Sequence, residues 1–412
     1  MPDTPLSGPT LNDIEEARTT VSRVADVTPM ETSRYLSELL GASVHLKCEN
    51  LQRTGSYKIR GAFNRLARLT DEERARGVVA ASAGNHAQGV AFAARELGVK
   101  ATIFMPIGVA LPKLQATRGY GADVVLRGHT VEEPLRAAAE FAKSTGATLI
   151  PPFDHMDVIT GQGTLGLEIL EQVPDVETVI VPVGGGGLIA GVASALKQRA
   201  KAEGRNIRVI GVQAANAAAY PPSLEAGHPV EITVGPTIAD GIAVGKPGTL
   251  NFELIRDLVD EIVTVDEDDT AKALLVLIER AKLVVEPAGA VSVAAILSGK
   301  VTATGPTVAI LSGGNIDPLL MERVVAHGLA ASERYLKLRI PLPDRPGQLA
   351  RTAGIVAEQN ANVVEVLHTR HGSGLQISQV ELELHIETRG PEHAEHVLAA
   401  LRAAGYDPRV SG

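Results

Sequence analysis

Residues 178–188 read Thr178-Val-Ile-Val-Pro-Val-Gly184-Gly-Gly-Gly-Leu188, an apolar run that closes on glycines and is followed by helical spacing to about Lys201. That order predicts a strand feeding a tight turn into a helix, the unit from which parallel sheets are built. The same grammar recurs along the chain. Gly77 to Ala81 leads through Ser82-Ala83-Gly84-Asn85 to a helix ending at Leu97, and Ala101 to Met105 leads to a helix around Leu111 to Arg118. Asp123 to Leu126 precedes a helix from Val131 to Lys143, Val209 to Gln213 is the strand after the Lys201 helix, and Thr307 to Leu311 runs into Ser312-Gly313-Gly314-Asn315. Short apolar strands alternating with helices predict an α/β region with open parallel sheets. No fixed-period repeat interrupts it.

After about residue 330 the periodicity changes. Leu336, Leu338, Ile340 and Leu342 alternate with polar residues as a half-buried strand requires, and Asp344-Arg-Pro-Gly ends the run. Leu349, Thr352, Ala353 and Val356 share a helical face. Strands are then predicted from Asn362 to Arg370 and from Ile377 to Glu387, the second alternating Val380, Leu382, Leu384 and Ile386 against Glu381, Glu383, His385 and Glu387. Ala394, Val397, Leu398 and Leu401 form a second helical stripe, Gly405 fits its C-cap, and a short terminal strand remains. The order βαββαβ is ferredoxin-like. A small second domain is therefore expected over 334–412.

Composition narrows the function. A chain of 412 residues with 45% hydrophobic and 21% charged residues is long enough for several packed cores. Its net charge of −9 offers no field for nucleic acid or anionic lipid, and no basic run with interleaved aromatics is present, so a small-molecule protein is expected. The single cysteine, Cys48, ends the apolar stretch Val44 to Lys47 and has no internal partner, which suits a reducing compartment. The N-terminus carries no secretory pattern, and no window reaches the length of a membrane span. A cytoplasmic protein is expected, without a membrane partner.

Three loops place glycines where a strand hands over to a helix, and a helix N-terminus there offers unpaired amides and partial positive charge to an anion. Gly184 to Gly187 suits a phosphate. The weak dinucleotide match Gly185-x-Gly187-x-x-Ala190 lacks its acidic ribose partner, because Gln213 stands at the end of the next strand. Ser82-Ala83-Gly84-Asn85-His86 suits a carboxylate, with the Asn85 amide as a further donor and His86 either a general base or a structural group. Ser312 offers a hydroxyl at a third strand end. Lys58, in Ser56-Tyr-Lys-Ile-Arg-Gly-Ala62, is the candidate amine for an imine with an aldehyde cofactor, provided the fold desolvates it. The pairs His368/His371 and His393/His396 lack carboxylate or thiol partners and read as exposed, so no metal site is expected.

Taken in order, Ser56-Tyr57-Lys58-Ile59-Arg60-Gly61, Ser82 to His86, Gly184 to Leu188 and Ser312 to Asn315 resemble the motifs of fold type II pyridoxal phosphate enzymes, most closely the threonine dehydratase (threonine ammonia-lyase) family. Phe153-Asp154-His155, Asp157-Val158-Ile159-x-Gly161-Gln162-Gly163-Thr164 and Glu286-Pro287-x-Gly289-Ala290 extend the resemblance over roughly residues 15 to 325. It implies a tryptophan synthase β-like catalytic region over 1–330, with a large lobe of about 1–54 and 148–330 and a small lobe of about 55–147.

In the site so implied, Lys58 carries pyridoxal 5′-phosphate as an imine and then serves as the base for the substrate Cα proton. Gly184, Gly185, Gly186, Gly187 and Leu188 hold the phosphate, Asn85 meets the phenolic oxygen, and Ser312 faces the ring nitrogen. Ser82, Ala83, Gly84, Asn85 and His86 hold the substrate carboxylate. The implied reaction is a carbon–oxygen lyase reaction, loss of water from L-threonine or L-serine, with the cofactor phosphate protonating the leaving hydroxyl. Serine racemase shares most of these motifs, but its second acid/base aligns with Ala83, and its two metal-binding carboxylates align with Gln213 and Ala219. Asp344-Arg345-Pro346-Gly347-Gln348-Leu349, with the βαββαβ order, resembles an ACT domain. The implication is a homo-oligomer with isoleucine or valine as the effector.

Overall fold

A computed structural model describes residues 8–130, 132–370 and 378–411. The expected starts at Val131 and Ile377, and His371, lie outside the described residues. Two compact units emerge, Met1–Pro318 and Leu319–Gly412.

The first unit holds two sheets. In the larger the strand order is Met30–Thr32, Val44–Lys47, Thr307–Ile310, Thr178–Pro182, Arg208–Ala214, Glu261–Val265. Every pairing is parallel except that of Met30–Thr32 with Val44–Lys47. The strands Thr178–Pro182 and Thr307–Ile310 are therefore neighbours, and the loops after them, at Gly184 and Ser312, open at the same edge, where open α/β sheets bind ligands. Both strands are buried throughout, which explains why they read as continuous apolar runs rather than alternating ones. The smaller sheet, in the order Asp123–Leu126, Ala101–Met105, Val78–Ala81, Thr148–Leu149, is wholly parallel. Its last strand lies just beyond residue 147, the expected edge of the small lobe.

Helices lock the two sheets together around the Lys58–Ala67 helix. A Cβ on Gly61 would sit 2.8 Å from Val158 O, and one on Gly161 2.6 Å from Arg60 O, so that helix and Met156–Gln172 touch backbone to backbone. Four buried charges pin the same contact. Arg60 donates to both carboxylate oxygens of Glu49 at 2.8 Å and to Glu168 Oε1 at 2.6 Å, and Lys47 Nζ donates to Glu168 Oε2 at 2.7 Å. None of the four residues is more than 5% exposed.

The second unit is a four-stranded antiparallel sheet, Asn362–Thr369, Gln379–Glu387, Tyr335–Pro343, Arg409–Val410, with helices Gln348–Glu358 and Pro391–Ala403. Leu336, Leu338, Ile340 and Leu342 face its core opposite Val380, Leu382, Leu384 and Ile386. Two histidines depart from the sequence reading. His393 is buried rather than exposed, because Nδ1 accepts from Arg389 N at 3.0 Å and Nε2 reaches Gln359 O at 2.7 Å. His385, on the polar side of its strand, is covered by Tyr335, Glu365 and Glu383, each within 3.0 Å of a ring nitrogen. His368 and His396 are exposed.

Candidate active site

The segment before Lys58 is fastened to the loop that follows Thr307–Ile310. Ser56 bridges Gly313, Tyr57 N donates to Ser312 O at 3.2 Å, and Gly314 N donates to Gly55 O at 2.8 Å. Lys58 then opens its helix, and its Nζ donates to Pro152 O at 2.9 Å. The next residue, Phe153, lies against the glycine loop, since a Cβ on Gly185 would fall 2.4 Å from its ring. Residues 152–153 thus separate the amine on one side from the glycines on the other by a single dipeptide. Burial pushes the Lys58 amine down to about 8, against the opposing pull of the Glu286 carboxylate. Near neutral pH an appreciable share of the amine is therefore unprotonated and nucleophilic.

The glycine loop is held from behind. Tyr220 Oη and Asn251 Nδ2 donate to Gly185 O at 3.2 and 3.1 Å, and Gly248 N donates to it at 3.3 Å. In a trans peptide the C=O and the following N–H point in opposite directions, so tying back Gly185 O turns Gly186 N–H into the cleft. Gly186 is N-cap of the Gly187–Ala202 helix at φ +101°, a left-handed conformation that suits glycine. No acceptor among the described residues takes the amide protons of Gly184, Gly185 or Gly186. Asp154 steadies the brace by accepting from Thr249 N and Leu250 N at 2.9 and 3.0 Å, at the start of the helix that carries Asn251.

The third group centres on Asn85, first residue of the Asn85–Leu97 helix. Its Nδ2 donates to Glu286 Oε1 at 2.6 Å. Its Oδ1 accepts from Asn315 Nδ2 at 2.8 Å, and the same Asn315 amide donates to Thr54 O at 2.7 Å. The amide of Asn85 is thereby fixed with one N–H to spare. Glu286 is 4% exposed, and burial followed by the Asp240 charge pushes its carboxyl up to about 7. Ser312 is buried beside this network. His86 Nε2 donates to the Ile150 carbonyl at 2.9 Å, and burial, then the Lys58 charge, pushes the ring down to about 3. Of the two roles open to His86, that of a neutral support fits.

Lys58, Asn85, the Gly184–Gly187 loop and Ser312 therefore converge, while Gly84 and Asn85 begin a helix beside them. Glu286, Asn315, Tyr220 and Asn251 are site residues that no role was predicted for. Glu286 and Asn315 carried a signal, because both belong to recognised motifs.

The profile of pyridoxal-phosphate dependent enzymes matches residues 21–313, and that of the ACT domain matches 338–405. The chain belongs to the pyridoxal-phosphate dependent enzyme family. An L-threonine ammonia-lyase of Thermotoga maritima is 48% identical over 404 residues, 98% of this chain and 100% of that protein. Among solved structures, the processed form of threonine deaminase isoform 2 from Solanum lycopersicum matches at 38% identity and TM-score 0.71, covering 78% of this chain and 95% of that one. Maize serine racemase matches at 35% identity and TM-score 0.71, over 78% and 98%.

The geometry fits the family's cofactor. Unpaired glycine amides at a helix start suit a phosphate, the Lys58 amine suits an aldehyde, and the spare Asn85 N–H suits a phenolic oxygen. The departures from the racemase pattern also have physical content. Gln213 is buried and its Oε1 accepts from Tyr220 N at 2.9 Å, so it braces the tyrosine behind the glycine loop. Ala219 is 1% exposed. Among the described residues no group of three or more His, Cys, Asp and Glu is arranged to hold a metal.

Proposed function

We propose that this chain removes water from L-threonine, and more slowly from L-serine, releasing an enamine that hydrolyses to 2-oxobutanoate or pyruvate and ammonia. The observation that carries this reading is the part-buried Lys58 amine, lowered to about 8, set against an unclaimed amide cradle in a chain 48% identical to an L-threonine ammonia-lyase. Pyridoxal phosphate, bound at Lys58 and the Gly184–Leu188 loop, would supply an electron sink for the pair left at Cα.

Lys58 Nζ would hold the cofactor's aldehyde carbon and, as a free amine, would take the Cα proton. The Ser82–His86 loop would orient the carboxylate, and Asn85 would hold the cofactor's phenolic oxygen through its remaining N–H. Ser312 would offer the cofactor's ring nitrogen a hydroxyl rather than a carboxylate, which would make the group a weaker electron sink and favour prompt departure of the β-hydroxyl. Ala83 presents a methyl group where a racemase needs a second proton carrier, which supports elimination over inversion.

The proposed division of labour is catalysis within 1–330 and amino-acid sensing within 334–412. The proposed effector is isoleucine or valine, in a cytoplasmic homo-oligomer serving isoleucine biosynthesis or threonine catabolism. The buried free thiol of Cys48, pushed up to about 12 by burial, suits a reducing compartment. Borohydride should fix the cofactor on Lys58, and threonine deamination should respond to isoleucine or valine. A Lys58→Ala protein that made 2-oxobutanoate at the parent rate would sink the mechanism.

A further inference from the structure

Lys113 is the feature of this cleft that the functional reading leaves unused. It sits on the Leu111–Gly119 helix of the small lobe, and its Nζ pairs with Asp240 Oδ2 at 2.7 Å. Asp240 opens the short turn Asp240–Ile242, which backs the glycine loop: a Cβ on Gly184 would fall 3.0 Å from Ile242 Cα. The ion pair thus spans the cleft between the lobe that carries Ser82–His86 and the turn behind the phosphate cradle. Its two ends are unequally placed. The Lys113 side chain is 15% exposed and that of Asp240 56%, so the carboxylate stands at the mouth and the ammonium stands inside. The Lys113 Nζ lies 3.9 Å from the point that a Cβ on Gly84 would occupy, directly over the carboxylate loop. An ammonium has three donors, and Asp240 is the one acceptor it meets among the described residues. A mostly enclosed cation with donors to spare, beside the turn where the Asn85–Leu97 helix begins, calls for an anion.

We infer that Lys113 is a specificity residue that recognises the α-carboxylate of the amino-acid substrate, with Asp240, at the mouth, holding the enclosed ammonium in place until the substrate arrives. This rests on the proposed function only in taking the substrate to be an α-amino acid. The charge of Lys113 adds to the Ser82–His86 amides, so a substrate with a carboxylate gains over an otherwise identical one without it. Lys113 moves no proton in the reaction.

The test compares L-alanine with L-alaninamide, both lacking a β-hydroxyl, by titrating the holoenzyme's absorption spectrum. Lys113→Met should weaken L-alanine binding roughly tenfold to a hundredfold, the loss expected for one charge-assisted hydrogen bond, and leave L-alaninamide essentially unchanged. Lys113→Arg, which keeps the charge, should retain the preference for the acid, and Lys113→Gln replaces the methionine variant where that does not fold. Equal weakening of both ligands would mean that Lys113 only latches the lobes, and no weakening of either would mean that it does nothing for the substrate. Each result overturns the inference. Because neither ligand is eliminated, failure of the parent enzyme to deaminate threonine would refute the proposed reaction and leave this comparison standing.

Discussion

Replacing Glu286 with glutamine should stabilise the protein, and the size of the effect follows from one carboxyl. Glutamine keeps the shape, and its Oε1 still accepts from Asn85 Nδ2 as Glu286 Oε1 does at 2.6 Å. What it removes is a charge that burial disfavours, since Glu286 is 4% exposed and its carboxyl is raised from 4.5 to about 7. A carboxyl raised on folding binds more protons in the native than in the unfolded state between those values, so stability falls as pH rises through them. The stabilising contribution is whole below about pH 4.5 and gone above about pH 7. At about 1.4 kcal/mol per pH unit, the parent should lag Glu286→Gln by under about 1 kcal/mol at pH 5 and by about 3 kcal/mol at pH 8. Urea unfolding of cofactor-free parent and variant, run in parallel at the two pH values, measures the gap and cancels the titrating groups that do not interact with Glu286. A gap that stays constant with pH, or a variant no more stable at pH 8, would refute the argument that Glu286 is buried with an unwelcome charge.

Arg60→Met should cost roughly 3–5 kcal/mol in the same unfolding assay, because Glu49 would remain buried with two of its hydrogen bonds gone; a loss below about 1 kcal/mol would count against the network as drawn. Gly186→Ala puts a Cβ 2.1 Å from Tyr220 Oη at φ +101°, so the brace on Gly185 O must shift, and equilibrium dialysis should show cofactor affinity reduced at least about tenfold. Ala83→Ser supplies the missing hydroxyl, and chiral chromatography of L-serine incubations should find D-serine from the variant and none from the parent. Absence of D-serine from both would remove residue 83 from the account of elimination against inversion.

The parts of this molecule written within one strand-to-helix unit could be read from sequence. Thr178–Pro182, Gly184–Gly187 and the helix to Ala202 announce themselves by composition and order, as do the alternating strands of the second unit. What stayed hidden was cross-chain. Asn85 meets Glu286 across 201 residues and Asn315 across 230, and no periodicity relates such positions. The histidines show the same limit from the other direction. An i,i+3 pair at His393 and His396 looks like an exposed edge of a helix, yet one member is taken inward by Gln359 O from a different helix end.

The buried charges beneath Lys58 point to why such cross-chain contacts sit where they do. Arg60 lies two residues after Lys58 on the same helix and is gripped by Glu49 from before the lysine segment and by Glu168 from the helix behind it. A hydrophobic residue of that size would bury as well, and often more stably, but it would tolerate a small rotation or slide of the helix. Paired guanidinium–carboxylate bonds do not, because a rotation that breaks them strands a charge. Together with the backbone contact at Gly61 and Gly161, they fix both the rotation and the height of the helix. The position of Lys58 Nζ relative to Pro152 O and the glycine loop is thereby set from below, so a loss at Arg60 should misplace the amine as well as weaken the fold. In Arg60→Met the imine absorbance should therefore titrate at a different pH from the parent's even under conditions where both proteins are fully folded; an unchanged titration would confine the network to stability alone.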